Sequence, residues 1–98
     1  MKPDEIKSAL LEWRETQPEP IEDFIVQVGL SAYDEPAVWI YVVLPDEYNA
    51  ESPRRIRHEL LEWVPKLRSS DPDEGPRPLK NHMVFVRFWT VSEVGDAA

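Results

Sequence analysis

The side chains that carry most enzyme chemistry are thinly spread along this 98-residue chain. Histidine occurs only as His58 and His82, without a companion at the spacing a zinc site needs. Cysteine is absent, which removes disulfides, thiolate metal ligands and cysteine nucleophiles. Carboxylates are plentiful and form four doublets: Glu22-Asp23, Asp34-Glu35, Asp46-Glu47 and Asp73-Glu74. Such groups can hold Mg²⁺ or Ca²⁺. None of the doublets has the spacing of a known metal loop, and Asp favours turns for local reasons. Three glycines leave no phosphate-cradling loop and no G-x-S-x-G elbow. No metal or cofactor is therefore expected. Scattered carboxylates leave general acid–base work open, but their pattern does not direct it, so binding is favoured over catalysis.

Two clusters could bind. The first is basic: Arg54, Arg55, Arg57 and His58 open a predicted helix. Helix N-termini attract anions, so a phosphate or an acidic segment could sit there. The competing reading is a solvated, salt-paired face, because Glu51/Arg55, Arg55/Glu59 and Glu62/Lys66 are i, i+4 pairs. The second cluster is aromatic: Trp39, Tyr41, Phe85, Arg87 and Trp89 all occupy odd-numbered positions of predicted strands.

The elements that would position these residues follow from periodicity. Ile6, Ala9, Leu10 and Trp13 fall at i, i+3, i+4 and i+7, which predicts a helix from Pro3 to about Glu15. Gln17-Pro18-Glu19-Pro20 stops it. Alternation predicts a strand over Asp23 to Leu30, a hairpin loop over Ser31 to Glu35 and a strand over Ala37 to Leu44. Ser52-Pro53 reads as the cap and first turn of a second helix, whose stripe is Ile56, Leu60, Trp63, Val64 and Leu67. Pro65 should kink or end that helix. Residues 66–81 read as a mobile loop. A third strand follows over His82 to Trp89, and 91–98 read as a polar tail.

The expected fold class is α+β: a two-layer αββαβ sandwich, with a three-stranded mixed sheet and two helices on one face, forming a single domain over 1–98. Two apolar faces on the second strand favour a central place for it (order 1-2-3), while 2-1-3 stays open. The helices resemble each other. Pro3 to Trp13 aligns with Pro53 to Trp63, fifty positions on, and six of eleven residues are identical. Duplication would explain this, and so would convergence of two helices on one sheet. Leu11 and Leu61 lie about 140° from their stripes at 100° per residue, so each needs a neighbour, either the other helix or another chain.

If even-numbered strand residues face the helices, the odd-numbered ones form a second face: Ile25, Gln27, Gly29, Trp39, Tyr41, Val43, Met83, Phe85, Arg87 and Trp89. A solvated face should be polar. Trp, Tyr and Arg are instead the residues enriched at interface hot spots. The expectation is a protein partner or a homodimer through Trp39, Tyr41, Phe85, Arg87 and Trp89. Folding of the loop or tail over the face is the alternative.

Composition narrows the partner classes. Nineteen acidic and eleven basic side chains give a net charge of −8. That field repels phosphate backbones, so nucleic acid is disfavoured despite the aromatic face. The longest apolar run, Ala37 to Leu44, is far short of the about 20 residues a membrane helix needs. With no signal-peptide pattern, a soluble cytoplasmic protein is expected. Only four of the basic residues are Lys, and high acid with low Lys is compatible with a high-salt habitat.

The segment Glu35 to Asp46 (Glu-Pro-Ala-Val-Trp-Ile-Tyr-Val-Val-Leu-Pro-Asp), with the closing Val86-Arg87-Phe88-Trp89, resembles small uncharacterised bacterial proteins of αββαβ order whose hairpin ends in Leu-Pro-Asp. The resemblance implies an accessory protein working beside a neighbouring gene product, sometimes of toxin–antitoxin type. The nucleotidyltransferase antitoxin pattern, a Gly-Ser turn followed by Asp-x-Asp, is missing here, which speaks against nucleotide transfer. The sequence thus favours a non-enzymatic interaction or accessory domain. A small phosphate- or nucleotide-binding or hydrolase-type companion, using the basic helix start, is the alternative.

Overall fold

The hydrophobic stripes fall where their spacing places them, and they organise everything else. The computed structural model describes residues 1–69, 73, 75 and 77–97, without the side chains of the last two. Helix α1 spans Pro3–Arg14. Its stripe residues Ile6 and Leu10 are fully buried and Trp13 nearly so. Strand β1 spans Asp23–Leu30 and strand β2 spans Pro36–Leu44. Helix α2 spans Ser52–Trp63, strand β3 Met83–Thr90 and helix α3 Val91–Ala97.

The sheet order is β1-β2-β3, which decides between the two topologies in favour of a central second strand. β1 and β2 pair antiparallel, with Gln27 opposite Trp39. β2 and β3 pair parallel, with Trp39 opposite Phe85 and Tyr41 opposite Arg87. Parallel pairing requires a crossover, and α2 supplies it. β2 earns its central position by composition: Ala37, Val38, Ile40, Val42, Val43 and Leu44 are all buried.

One core lies between the helices and the even-numbered strand residues, joining Ile6, Leu10, Phe24, Val38, Ile40, Val42, Ile56, Leu60 and Val86. The expected arrangement, a mixed three-stranded sheet with two helices on one face, is the one observed. In the hairpin loop the Ser31 N–H donates to the Glu35 carbonyl at 2.8 Å. The Ser31 hydroxyl accepts from the Tyr33 and Glu35 amides at 3.2 and 3.3 Å. Asp34 takes a positive φ of 59°, a conformation Asp tolerates better than most residues.

Three expectations need correction. First, Ser52 is not the cap of α2. It lies inside the first turn, and Asn49 closes the helix start by accepting the Glu51 amide at 2.9 Å on its side chain and the Ser52 amide at 3.0 Å on its carbonyl. Second, residues 91–97 form α3 rather than a polar tail, making the order αββαβα. Thr90 and Glu93 make a reciprocal capping box: the Thr90 amide donates to the Glu93 carboxylate at 3.1 Å, and the Glu93 amide to the Thr90 hydroxyl at 3.3 Å. Asp46 adds a bond from the Ser92 amide at 3.0 Å and one from its hydroxyl.

Third, the segment expected to be a mobile loop is anchored at both ends, because Leu67 and Leu79 are core residues. The middle of that expectation, residues 70–72, 74 and 76, lies outside the described residues. Of the off-stripe leucines, Leu11 packs on the core within the chain, whereas Leu61 stays 43% exposed, where another chain could reach it. Pro65 acts as expected, since α2 ends at Trp63 and Val64–Lys66 continue as a single 3₁₀ turn.

The resembling helices use their shared residues alike. Ile6 and Ile56, and Leu10 and Leu60, are fully buried pairs, and Trp13 and Trp63 meet with ring centroids 5.8 Å apart. Lys7 and Arg57, matched in the alignment, diverge in their contacts. Lys7 pairs with Asp23 at 3.6 Å. Arg57 lies 5.3 Å over the Phe88 ring and donates to the Val86 carbonyl at 3.3 Å.

Candidate functional site

Alternation along β2 and β3 sends Trp39, Tyr41, Phe85, Arg87 and Trp89 to the face opposite α1 and α2. The register then sorts them into two stacks. Trp39 lies on Phe85 with centroids 5.7 Å apart and planes 15° from parallel. Tyr41 meets Trp89 at 5.0 Å with planes at 43°. Trp39 and Phe85 are direct cross-strand partners, whereas Tyr41 reaches diagonally to Trp89, two residues beyond its partner Arg87. Such pairs are each worth about 0.5–1.5 kcal/mol beyond the area they bury.

All four rings are half-buried and Arg87 is exposed. In the near-parallel Trp39–Phe85 pair each ring covers part of the other's face. Gln27, Gly29 and Met83 are exposed on the same side, and Val43 is buried at the end where α3 begins. Helix α3 touches β2 and β3. The five residues singled out in the sequence are therefore brought together on one surface.

The basic residues are divided. Arg54, Arg55 and His58 line a cleft of about 680 Å³, whose other walls are Pro18, Glu19 and Pro20 from the α1–β1 linker, Tyr48, Asn49 and Glu51 from the loop before α2, and Ser52 at the helix start. Arg57 turns away from them to Phe88 and Val86. Helix geometry explains the split, since at about 100° per residue Arg57 points beside the buried stripe while the other three share an arc.

Within the cleft Arg55 is already engaged. It makes a two-pronged ion pair with Glu19, donates to Gln17 Oε1 at 3.0 Å and lies 3.8 Å from Glu59. The Glu59 pairing follows the i, i+4 spacing; Glu19, 36 positions away, was not visible in the sequence. The hydrogen bond from Arg55 lowers the Glu19 pKa, and Glu19 in turn raises that of Arg55. His58 faces Glu62 at 3.5 Å. The cleft is thus close to charge-balanced rather than an open cationic pocket.

Two groups outside these clusters have shifted titration. Hydrogen bonds from Ser92 hold Asp46 below the usual Asp range. Burial, with a smaller contribution from the chain's N-terminal amine, lowers the pKa of His82. Among the described residues, no three His, Asp or Glu side chains converge as a metal site. Among the same residues no helix is long and apolar enough to cross a membrane.

The chain matches no protein-family model, no curated protein and no solved structure. Its geometry alone must carry the functional reading. The sequence missed the Asp46–Ser92 tie and the Glu19–Arg55 clamp, both pairings between distant segments. It also passed over Thr90-x-x-Glu93, a legible capping signal.

Proposed function

We propose that this chain is a non-enzymatic protein–protein interaction or accessory domain whose contact surface is the aromatic face of its sheet, and that it self-associates through that face. The observation that carries the reading is the pair of stacks, Trp39 on Phe85 and Tyr41 on Trp89, only partly buried beside the exposed Arg87 on the side that neither α1 nor α2 covers. Pre-stacked rings lose little rotamer freedom on docking, so more of the buried area counts toward affinity. Two sheets can pack face to face about 10 Å apart through interlocking side chains. Light scattering after size exclusion, over a range of protein concentrations, tests this. Mass should rise from 11.4 kDa towards twice that value as concentration increases. A constant mass of one chain up to millimolar concentration would remove self-association.

A second reading rests on the cleft. A cavity of about 680 Å³ falls within the range of small-molecule sites, and Arg54 and His58 line it. In this reading the chain binds a phosphate-bearing small molecule, as an accessory or a hydrolase-type companion. A rise in melting temperature with added phosphate, lost in Arg54→Ala, would support it. No rise would leave the aromatic face as the better candidate.

A further inference from the structure

The outer edge of β1 carries a pattern that the aromatic face does not explain. β1 ends the sheet order, so among the described residues one side of it has no strand partner. Among the described residues, the backbone of Phe24 to Leu30 makes hydrogen bonds only within the sheet. Such an edge is a template for another strand, and proteins usually blunt it with Lys, Pro or a bulge. β1 contains neither Lys nor Pro, and it pairs with β2 in unbroken register for eight residues. The opposite edge strand, β3, carries the Arg57 guanidinium on its Val86 carbonyl.

Charge singles out the same segment. From Phe24 to Tyr33 there is no charged residue, in a chain that is 31% charged. The apolar side chains there are open: Val28 is 38% exposed, Leu30 63% and Tyr33 82%. This neutral stretch is bracketed by Glu22-Asp23 before it and Asp34-Glu35 after it. Lys7 partly offsets Asp23, leaving Glu22, Asp34 and Glu35 exposed at the two ends.

We propose that the free edge of β1 receives an extended segment of a partner protein, apolar in its middle and carrying Lys or Arg at both ends, which adds to the sheet as a fourth strand. Main-chain hydrogen bonds supply affinity in this mode of recognition, and alternate side chains supply specificity. Val26, Val28 and Leu30 point to the helix side, so the added strand presents apolar residues there. Its basic ends meet the two acidic brackets. A second copy of this chain fits worse. Antiparallel pairing of β1 with itself brings the Glu22-Asp23 end of one copy to the Asp34-Glu35 end of the other, acid against acid. This docking is independent of the aromatic face.

The probe is a peptide of about ten residues, long enough for one strand, alternating Val and Thr between Lys-Arg ends. Its twin carries Glu-Asp ends. Each is titrated into the isotope-labelled full chain and followed by amide chemical shifts and hydrogen exchange. The basic peptide should shift and protect the backbone amides of residues 24–30, less so as salt is raised. The twin should not bind. Replacing both exposed brackets, Glu22→Lys with Glu35→Lys, should weaken binding about fivefold or more, the effect of losing two rim ion pairs. The proposal is overturned by equal binding of the twin, by shifts centred on Phe85 and Trp89 instead of β1, or by no binding at about 1 mM peptide. Protection of β1 amides in a dimer without peptide also overturns it, since the occupant is then a second copy.

Discussion

Trp39 is the residue whose removal separates interface from core most cleanly. It sits at the centre of the face, between Gln27 on β1 and Phe85 on β3. Three strands about 4.8 Å apart, each with eight residues rising about 3.3 Å, give a face of about 14 by 26 Å, or about 370 Å² in projection. Side-chain relief raises the accessible area by roughly half, so two copies would bury about 1,100 Å² in total, at the low end for a specific interface. The dimer should therefore be weak, with a Kd on the order of micromolar or above. A central aromatic anchor is worth about 2 kcal/mol, so Trp39→Ala should weaken association about 30-fold.

The same substitution tests the fold. Loss of the Phe85 stack costs about 0.5–1.5 kcal/mol, and the ring is only half-buried, so the total should be about 2 kcal/mol, against about 3–5 for a core aromatic. A domain with about 5–15 kcal/mol of stability survives that. Phe85→Ala and the double variant complete a cycle, whose coupling in urea unfolding should be about 1 kcal/mol. Light scattering gives the association arm and far-UV circular dichroism with urea the stability arm. If Trp39→Ala loses its cooperative unfolding transition, the ring is core and the interface argument fails. If it stays folded with unchanged association, the face is not the contact surface.

Other positions make sharper single predictions. Leu10→Ala and Leu60→Ala, both fully buried, should each cost about 2–5 kcal/mol in urea unfolding, whereas Leu61→Ala should change stability by less than about 0.5. Glu19, with its pKa lowered by Arg55, adds stability that is present above pH 4.5 and lost as pH falls through its folded value. The pair is partly exposed, so the loss should be about 1 kcal/mol or less, and absent in Glu19→Gln. His82, lowered by burial, acts in the same direction but higher: its contribution is present above pH 6.5 and fades below, and His82→Gln should flatten the stability profile there. Thr90→Ala should destabilise α3 by about 1 kcal/mol, seen as faster amide exchange over 91–97 with the core unchanged. Equal loss of protection in the core strands would show that α3 is part of the main folding unit.

The sheet was legible because its signal is local. The alternation from Asp23 to Leu30 gave β1 its observed bounds, and the doubly apolar β2 pointed to the middle position it holds. The five residues of the aromatic face could be gathered from parity alone, because period-two alternation leaves no other side for them. Where the reading failed, the determining contact was distant or the segment short. α3 has seven residues and leans on Asp46, 46 positions upstream of Ser92, so its apolar content alone does not announce a helix. Leu67 and Leu79 are single anchors in a polar, proline-rich stretch, and nothing beside them repeats. Grouping Arg57 with its basic neighbours followed sequence proximity, where the helical wheel would have set it beside Ile56 and Leu60.

The parallel pairing of β3 has a consequence for how the chain reaches this state. Every β1–β2 pair joins residues between 6 and 20 positions apart, from Leu30 with Pro36 to Asp23 with Val43. Every β2–β3 pair spans 46 positions, as Ala37 with Met83 does. The hairpin can therefore close early, while the last strand must wait for α2 and the long segment after it to be laid down. Both aromatic stacks bridge β2 to β3, so neither Trp39 nor Trp89 has its aromatic partner until that final strand arrives. Tryptophan emission from these two positions is then a built-in clock for the slowest joining step in folding, and for a newly made chain the sticky surface is the last to be tidied.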